Sequence, residues 1–437
     1  MMKRSPKVIA DPIYGIIDIR PVLPMVETRE FQALGDKRQL GMGQLTFPSA
    51  THTRKAHCIG AYHATRELAD DWIKNSFINA READALAGYA LYHDIGHPPF
   101  SHVTEPLCKL PDSVAPFAKK MSVNGAMSLA IIKRSRAVIE ACGIDFRLVE
   151  AMAEHRDPLY RAVSDKNLGM EKLDYLERDG LFTILSRPVG VDYLRHHIYF
   201  IDGQLAIDEK VVDNAIELQN YYLKIYKNVY LRKASAIAQR MMQKMVHHMI
   251  VAGELRPEDL VDLTDSELTG MMRLSKDPLV AALYELLRSR SLFRETIVIR
   301  PEKFAQAEAT SGKPITVFGA SDAVIKRLTN NPDFKPEHQE ALHGIESAIA
   351  NIAGVPAEHV LVVPIEGTER FEAQDIKIYD GRGRKLASLK ERYPAHFKNI
   401  EEVGQAYFAF RVCTTVEYRK HLASPKIAKK VFDLLTK

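Results

Sequence analysis

Apolar residues recur at three- and four-residue spacing through most of the chain from residue 50 to about 290. This spacing predicts a succession of amphipathic helices. "CIGAYHATRELADDWI" (58–73) is one, and "READALAGYALYHDIG" (81–96) is a second, apolar on most sides and so predicted to be buried. "GAMSLAIIKRSRAVIEACG" (125–143), "FRLVEAMAEH" (146–155), "MEKLDYLERDGLFTIL" (170–185) and a long stretch over 221–253 continue the series. Residues 1–50 read as short strands, turns and a short helix. Beyond 295 the pattern becomes strand-like, at 295–304, 359–367, 375–389 and 406–415. "IYDGRGRKLAS" suits a hairpin turning at Asp380-Gly381. A helix is expected over 336–354, and another closes the chain. The fold predicted is mainly α: a helical core over 1–295 and a smaller α+β domain over 296–437, with the boundary near 295–310. No internal repeat or low-complexity tract interrupts it.

Composition adds little to this picture. The chain has 437 residues, a net charge of +4 and 46% hydrophobic residues, which suits a globular protein with a substantial core. The Lys and Arg residues are scattered, so nucleic acid is not indicated, whereas a phosphate-bearing substrate fits. No stretch approaches 18 uninterrupted apolar residues, so no membrane association is expected. Four cysteines without CxxC spacing read as reduced thiols, and a cytoplasmic location is expected.

Candidate chemistry concentrates in "LYHDIGHPPFSH" (91–102), with three histidines and an aspartate in a dozen residues. "THTRKAH" (51–57) adds His52 and His57, and "GMEKLDYLERDG" (169–180) adds Glu171, Asp174 and Asp179. Glu171 and Asp174 share a helix face. Imidazole nitrogens with carboxylate oxygens suit a divalent transition metal (Mn, Fe, Co, Ni or Zn), and Mg is also admissible. His52 has a simpler reading as a turn cap. The tyrosines at 221, 222, 226 and 230 form a helical stripe, divided between core and pocket.

The ordered set "DPIYG" (11–15), "FQALGDKRQLG" (31–41), "FPSATHTRKAHCIG" (47–60), "HDIGHPPFSH" (93–102) and "KLDYLERD" (172–179) resembles the HD-domain metal-dependent phosphohydrolases. Within them it looks like the deoxynucleoside triphosphate triphosphohydrolase branch, over roughly residues 8–250. The resemblance implies His57, His93 and Asp94 as metal ligands. It places the fourth at Glu171, where the family has an aspartate; Asp174 would instead orient a ligand histidine. It also implies Arg54, Lys172 and His102 on the triphosphate, Gln39 and Asp179 on the sugar 3′-hydroxyl, and Tyr175 lining the sugar pocket. Relatives act as homo-oligomers, so the same is expected here, with the Met-rich helix at 239–250 offering an apolar face.

Two departures stand out. Asn124-Gly125 occupies the place of the family's His-Glu pair, which leaves His97, His102 and Glu105 for acid–base work, with His97 foremost. Gln32 is followed by Gly35 where the human member of this branch has an arginine in its regulatory guanine nucleotide site, so activation by GTP is not expected. The function expected is metal-dependent hydrolysis of deoxynucleoside triphosphates to deoxynucleoside and tripolyphosphate. The alternatives are an HD phosphohydrolase acting on another nucleotide, a monophosphate or a phosphodiester, or a nucleotide-binding regulator with a degenerate site.

Overall fold

The computed structural model describes residues 7–117, 121–309, 313–364 and 373–437. The helix predicted over 81–96 spans Ala80–Tyr92 and opens on a reciprocal cap. The Glu82 N–H donates to the Asn79 side chain, and the Asn79 N–H donates to the Glu82 carboxylate. From Ala85 to Tyr92 every residue is buried, as its all-round apolarity requires. It packs against the Arg54–Lys74 and Phe146–Ala153 helices. The Arg54–Lys74 helix starts at Thr53, whose hydroxyl accepts from the Ala56 N–H. Near its far end the buried Trp72 indole donates to the Ile198 carbonyl at 2.7 Å.

The chain forms two compact units, and neither is one continuous segment. The first comprises Met1–Val229, Glu258–Leu268 and Gln374–His396; the second comprises Tyr230–Pro257, Thr269–Ala373 and Phe397–Lys437. The division therefore does not fall at 295, where the change of pattern placed it. Periodicity registers where strands begin, but not which distant segments come together.

In the first unit β1 (Val8–Asp11) and β2 (Gly15–Asp18) form an antiparallel hairpin. Asp11 closes its turn by accepting the Ile13 and Tyr14 N–H groups. A second hairpin, β3 (Ile198–Ile201) and β4 (Gln204–Asp208), corrects the expectation of an almost wholly helical run from 50 to 290. Its turn is Asp202-Gly203, both at positive φ (50° and 70°), a two-residue turn that matches strand twist. The segment read as a hairpin near 380 contributes β8 (Lys377–Tyr379), which joins β4 in parallel. Its turn runs from Asp380 to Arg384, held by the Asp380 carboxylate accepting the Arg382 and Arg384 N–H groups, with Gly383 at φ 74°.

Two predicted helices are broken. The 125–143 segment is Val123–Arg134 followed by Arg136–Ala141, divided at Ser135, a residue type that competes for backbone hydrogen bonds. The 221–253 segment is interrupted by a π-turn at Tyr226–Tyr230, where the Asn228 side chain donates to the Lys224 carbonyl. The next helix spans Lys233–Val251.

The second unit holds a four-stranded sheet of β5 (Arg294–Pro301), β6 (Thr316–Ala320), β7 (Val360–Val363) and β9 (Phe410–Thr414), in the order β6-β5-β9-β7. Strand β6 was not anticipated, and residues 365–367 of the predicted 359–367 strand lie outside the described residues. Glu346, on the Gln339–Ala353 helix, accepts from Lys244 at 2.9 Å and from Arg240 at 3.5 Å, an ion network buried within this unit. Met241, Met242, Met245 and Met249 are also buried, so they leave no exposed apolar face for assembly. Among the described residues no helix is long and apolar enough to cross a membrane.

Candidate metal centre

His57 lies one turn into the Arg54–Lys74 helix, and His93 and Asp94 end the Ala80–Tyr92 helix. Their ligand atoms all lie within 4.8 Å of one another. The His57 Nε2 is 3.8 Å from Asp94 Oδ2, and the His93 Nε2 is 3.6 Å from Asp94 Oδ1. Hydrogen bonding fixes both rings. His57 Nδ1 donates to Asp174 Oδ2 at 2.7 Å, and His93 Nδ1 donates to the Ala90 carbonyl at 2.7 Å. Each ring, when neutral, then turns an Nε2 lone pair toward a carboxylate that also only accepts. The His93 Nε2 is buried with no hydrogen-bond partner. Three converging lone-pair donors of mixed nitrogen and oxygen type fit a divalent cation.

Asp94 is buried, which opposes its ionisation. The Arg54 guanidinium bonded to it helps outweigh burial and hold its carboxyl well below the usual carboxylate range. Arg54 is fixed on both sides, donating Nη1 to Asp94 at 2.5 Å and Nε to Ser101 Oγ at 2.9 Å. Glu171 Oε2 is 3.7 Å from His93 Nε2 and accepts from Ser164 at 3.1 Å. Asp174 has a different post. Its oxygens accept from His57 and from Arg178 at 2.7 and 3.0 Å, and Arg178 donates onward to Asp11 at 2.8 Å. Burial opposes the charge on Asp174, but Arg178 and His57 outweigh it and keep its pKa depressed. The chain Asp11–Arg178–Asp174–His57 aims one imidazole. Sequence alone points to His57 and Asp174; "DPIYG" and "LERD" hold the other two partners, which become visible once folding joins them.

His97, His102 and Glu105 form a second group with ligand atoms within 4.8 Å. His102 is exposed, and its Nδ1 donates to Glu105 Oε2 at 2.7 Å. Burial of Glu105 favours its neutral form, yet His102 and the Asn124 N–H bring its pKa down to about 2. His97 is pushed down to about 3, by burial first and by Arg54 next, so it stays neutral. Its Nε2 accepts from the Asn124 amide at 2.7 Å. Asn124, read from sequence as unable to do acid–base work, thus holds His97 with its side chain and Glu105 with its N–H. The Asn124 bond occupies the His97 Nε2 lone pair, beside the acid–base role expected of His97 from sequence. Gly96 permits the approach, since a Cβ there would press on the Asn124 carbonyl at 2.7 Å.

The remaining residues lie around these groups. Segment 37–39 pairs with 52–54, so the Gln39 N–H donates to the His52 carbonyl at 3.1 Å. Asp179 meets His52, for which a turn cap is the simpler sequence reading, at 2.8 Å. The Tyr175 ring stands edge-on to His57, with centroids 6.4 Å apart. Lys172, brought to about 8 by burial, donates to the Lys166 carbonyl at 2.6 Å and sits 3.7 Å above the Tyr222 ring.

Residues 54–179 match the HD domain and residues 189–317 the HD-associated region. The chain is 26% identical over 361 residues to the deoxynucleoside triphosphate triphosphohydrolase SAMHD1 homolog of Dictyostelium discoideum, spanning 76% of this chain and 69% of that protein. It is 27% identical over 302 residues to the human deoxynucleoside triphosphate triphosphohydrolase SAMHD1, spanning 59% of this chain and 46% of the human protein. A crystal structure of a phosphohydrolase from Bacteroides thetaiotaomicron shares the fold, with a TM-score of 0.66 at 21% identity over 94% of this chain and 99% of that one. With the two-helix histidine–aspartate centre in place and both sequence regions matched in order, the chain carries an HD domain followed by an HD-associated region.

Proposed function

We propose that the chain hydrolyses deoxynucleoside triphosphates, in a metal-dependent reaction, to a deoxynucleoside and tripolyphosphate. The observation that carries this reading is the convergence of the His57 and His93 Nε2 atoms on Asp94, with Arg54 locked beside them. Similarity to proteins named as deoxynucleoside triphosphate triphosphohydrolases supports the substrate class. His57, His93 and Asp94 would hold a divalent metal, with Glu171 as the fourth ligand. When bound, the ion supplies Lewis acidity and lowers the pKa of water, so that attack on phosphorus proceeds near neutral pH. Attack at the α-phosphorus breaks its bond to the sugar 5′-oxygen. Arg54 offsets the charge that develops on the phosphoryl oxygens. Glu105 accepts from His102 Nδ1 and would steady the doubly protonated imidazolium, whose Nε2 gives its proton to the departing 5′-oxygen. Lys172 offers its ammonium to the phosphates, and Gln39, Tyr175 and Asp179 receive the sugar. We also infer a homo-oligomer, which light scattering across a concentration series checks.

One observation favours the second reading, an HD phosphohydrolase acting on another nucleotide. Lys172 is committed to the Lys166 carbonyl and the Tyr222 ring, so a triphosphate must draw it away. Chromatography of reactions with the four deoxynucleoside triphosphates, a deoxynucleoside monophosphate and a cyclic nucleotide diester, each with Mn, Fe, Co, Ni, Zn or Mg, decides between them. Tripolyphosphate with free deoxynucleoside is the expected outcome. Inorganic phosphate or a cleaved diester selects the second reading, and binding without turnover selects a regulator.

A further inference from the structure

His52 precedes the Arg54–Lys74 helix, and its side chain is 1% exposed. Its Nε2 donates to Asp179 Oδ1 at 2.8 Å, because a carboxylate only accepts. Its main-chain carbonyl accepts the Gln39 N–H at 3.1 Å. Phe182 stacks on the ring with centroids 4.8 Å apart and planes 22° from parallel. The Ser49 hydroxyl in turn donates to the Phe182 carbonyl at 2.7 Å. One side chain therefore sets the direction of Asp179, and its own backbone sets the place of Gln39. Two buried atoms here, Gln39 Oε1 and His52 Nδ1, have no hydrogen-bond partner. Buried polar atoms are paired as a rule, and exceptions call for an explanation such as a ligand that completes the set.

We infer that His52 is a positioning residue for sugar recognition, aiming Asp179 and Gln39 at a hydroxyl of the nucleotide sugar without itself touching the reacting atoms. The inference rests on the nucleotide reading above. It adds that discrimination between sugars depends on a residue at the head of the metal-binding helix.

The test measures kcat/KM of the wild-type protein, His52→Leu and His52→Gln on dATP, ATP and 2′,3′-dideoxy-ATP, alongside metal content. A site that hydrogen-bonds a hydroxyl rejects analogues lacking it, by about 10⁴–10⁵-fold. In His52→Leu the preference for dATP over the dideoxy compound should shrink at least about tenfold, mostly through a loss on dATP, with metal content unchanged. His52→Gln, whose amide can still donate to Asp179, should recover most of the preference. A His52→Leu protein that loses activity on both substrates by the same factor would overturn the inference and leave the proposed function standing. Wild-type protein that turns over none of these nucleotides would remove the nucleotide reading, and the inference with it, before any variant is made.

Discussion

Gly60 lies where the Arg54–Lys74 helix crosses Asp174 and Arg178, and a Cβ at this position would collide with Asp174 Oδ1 and Arg178 Nη2. Neither neighbour can yield, since each is fully buried and hydrogen-bonded. Gly60→Ala should therefore destabilise the protein by roughly 1–3 kcal/mol, the usual range for overpacking, and tilt His57. Thermal unfolding with metal analysis checks this; an unchanged midpoint with full metal loading would contradict it. Glu171 and Asp174 should separate in the same assay. Glu171→Ala should be metal-poor and inactive. Asp174→Asn should still bind metal, more weakly by about 10–100-fold, as when the support of a ligand is lost. Full loading of the Glu171 variant beside an empty Asp174 variant would reverse the assignment. At this scale, His57, His93 and Asp94 were legible because two of them are adjacent at the end of an apolar helix. Asn124 and His52 were not, because their roles lie in partners 27 and 127 residues away.

The loop from His97 to Val103 shows how an element is held by a distant segment. Phe100 and Ser101 adopt positive φ (54° and 56°), a strained choice for side-chain-bearing residues. Asp265 secures the loop, its carboxylate accepting the Phe100 N–H at 2.6 Å and the Arg38 N–H at 3.0 Å. Lys37 donates to the His97 and Val261 carbonyls at 2.6 and 3.0 Å. Burial raises the Asp265 pKa to about 6, above the value near 4 of an unfolded chain. The folded state then binds the extra proton between about pH 4 and 6, so this group's contribution is fully present below about 4 and lost as pH rises through 6. The difference is worth roughly 3 kcal/mol. Asp265→Asn removes the titration, so the stability of wild type relative to this variant should rise as pH falls from 7 to 4. A constant difference across that range would show that Asp265 does not titrate there. Helices were legible wherever an apolar stripe repeated. The hairpin at 198–208 is hard to read because "IYFIDGQLAID" follows a long helical run, and its Asp-Gly turn is a weak local signal beside that run.

Across the whole molecule, the change of pattern near 295 marks the first strand of one sheet and not the end of a domain. The first unit draws on three stretches of chain, the last of them Gln374–His396. Nothing in local periodicity announces that β8, 169 residues beyond β4, pairs with it at Asp208–Tyr379 in the parallel register. A protein truncated after residue 295 should therefore be poorly soluble when expressed, although it keeps every candidate ligand. A fully soluble, metal-loaded fragment of that length would show that β8 is dispensable. The same threading bears on how the protein is made. Because the ribosome delivers residues in order, β4 waits through the synthesis of about 170 residues with one edge of hydrogen-bonding groups unpaired. Such an edge invites pairing with another chain. Translation of the second unit is thus a window of exposure for the first, and the speed at which that stretch is translated bears directly on the yield of native protein.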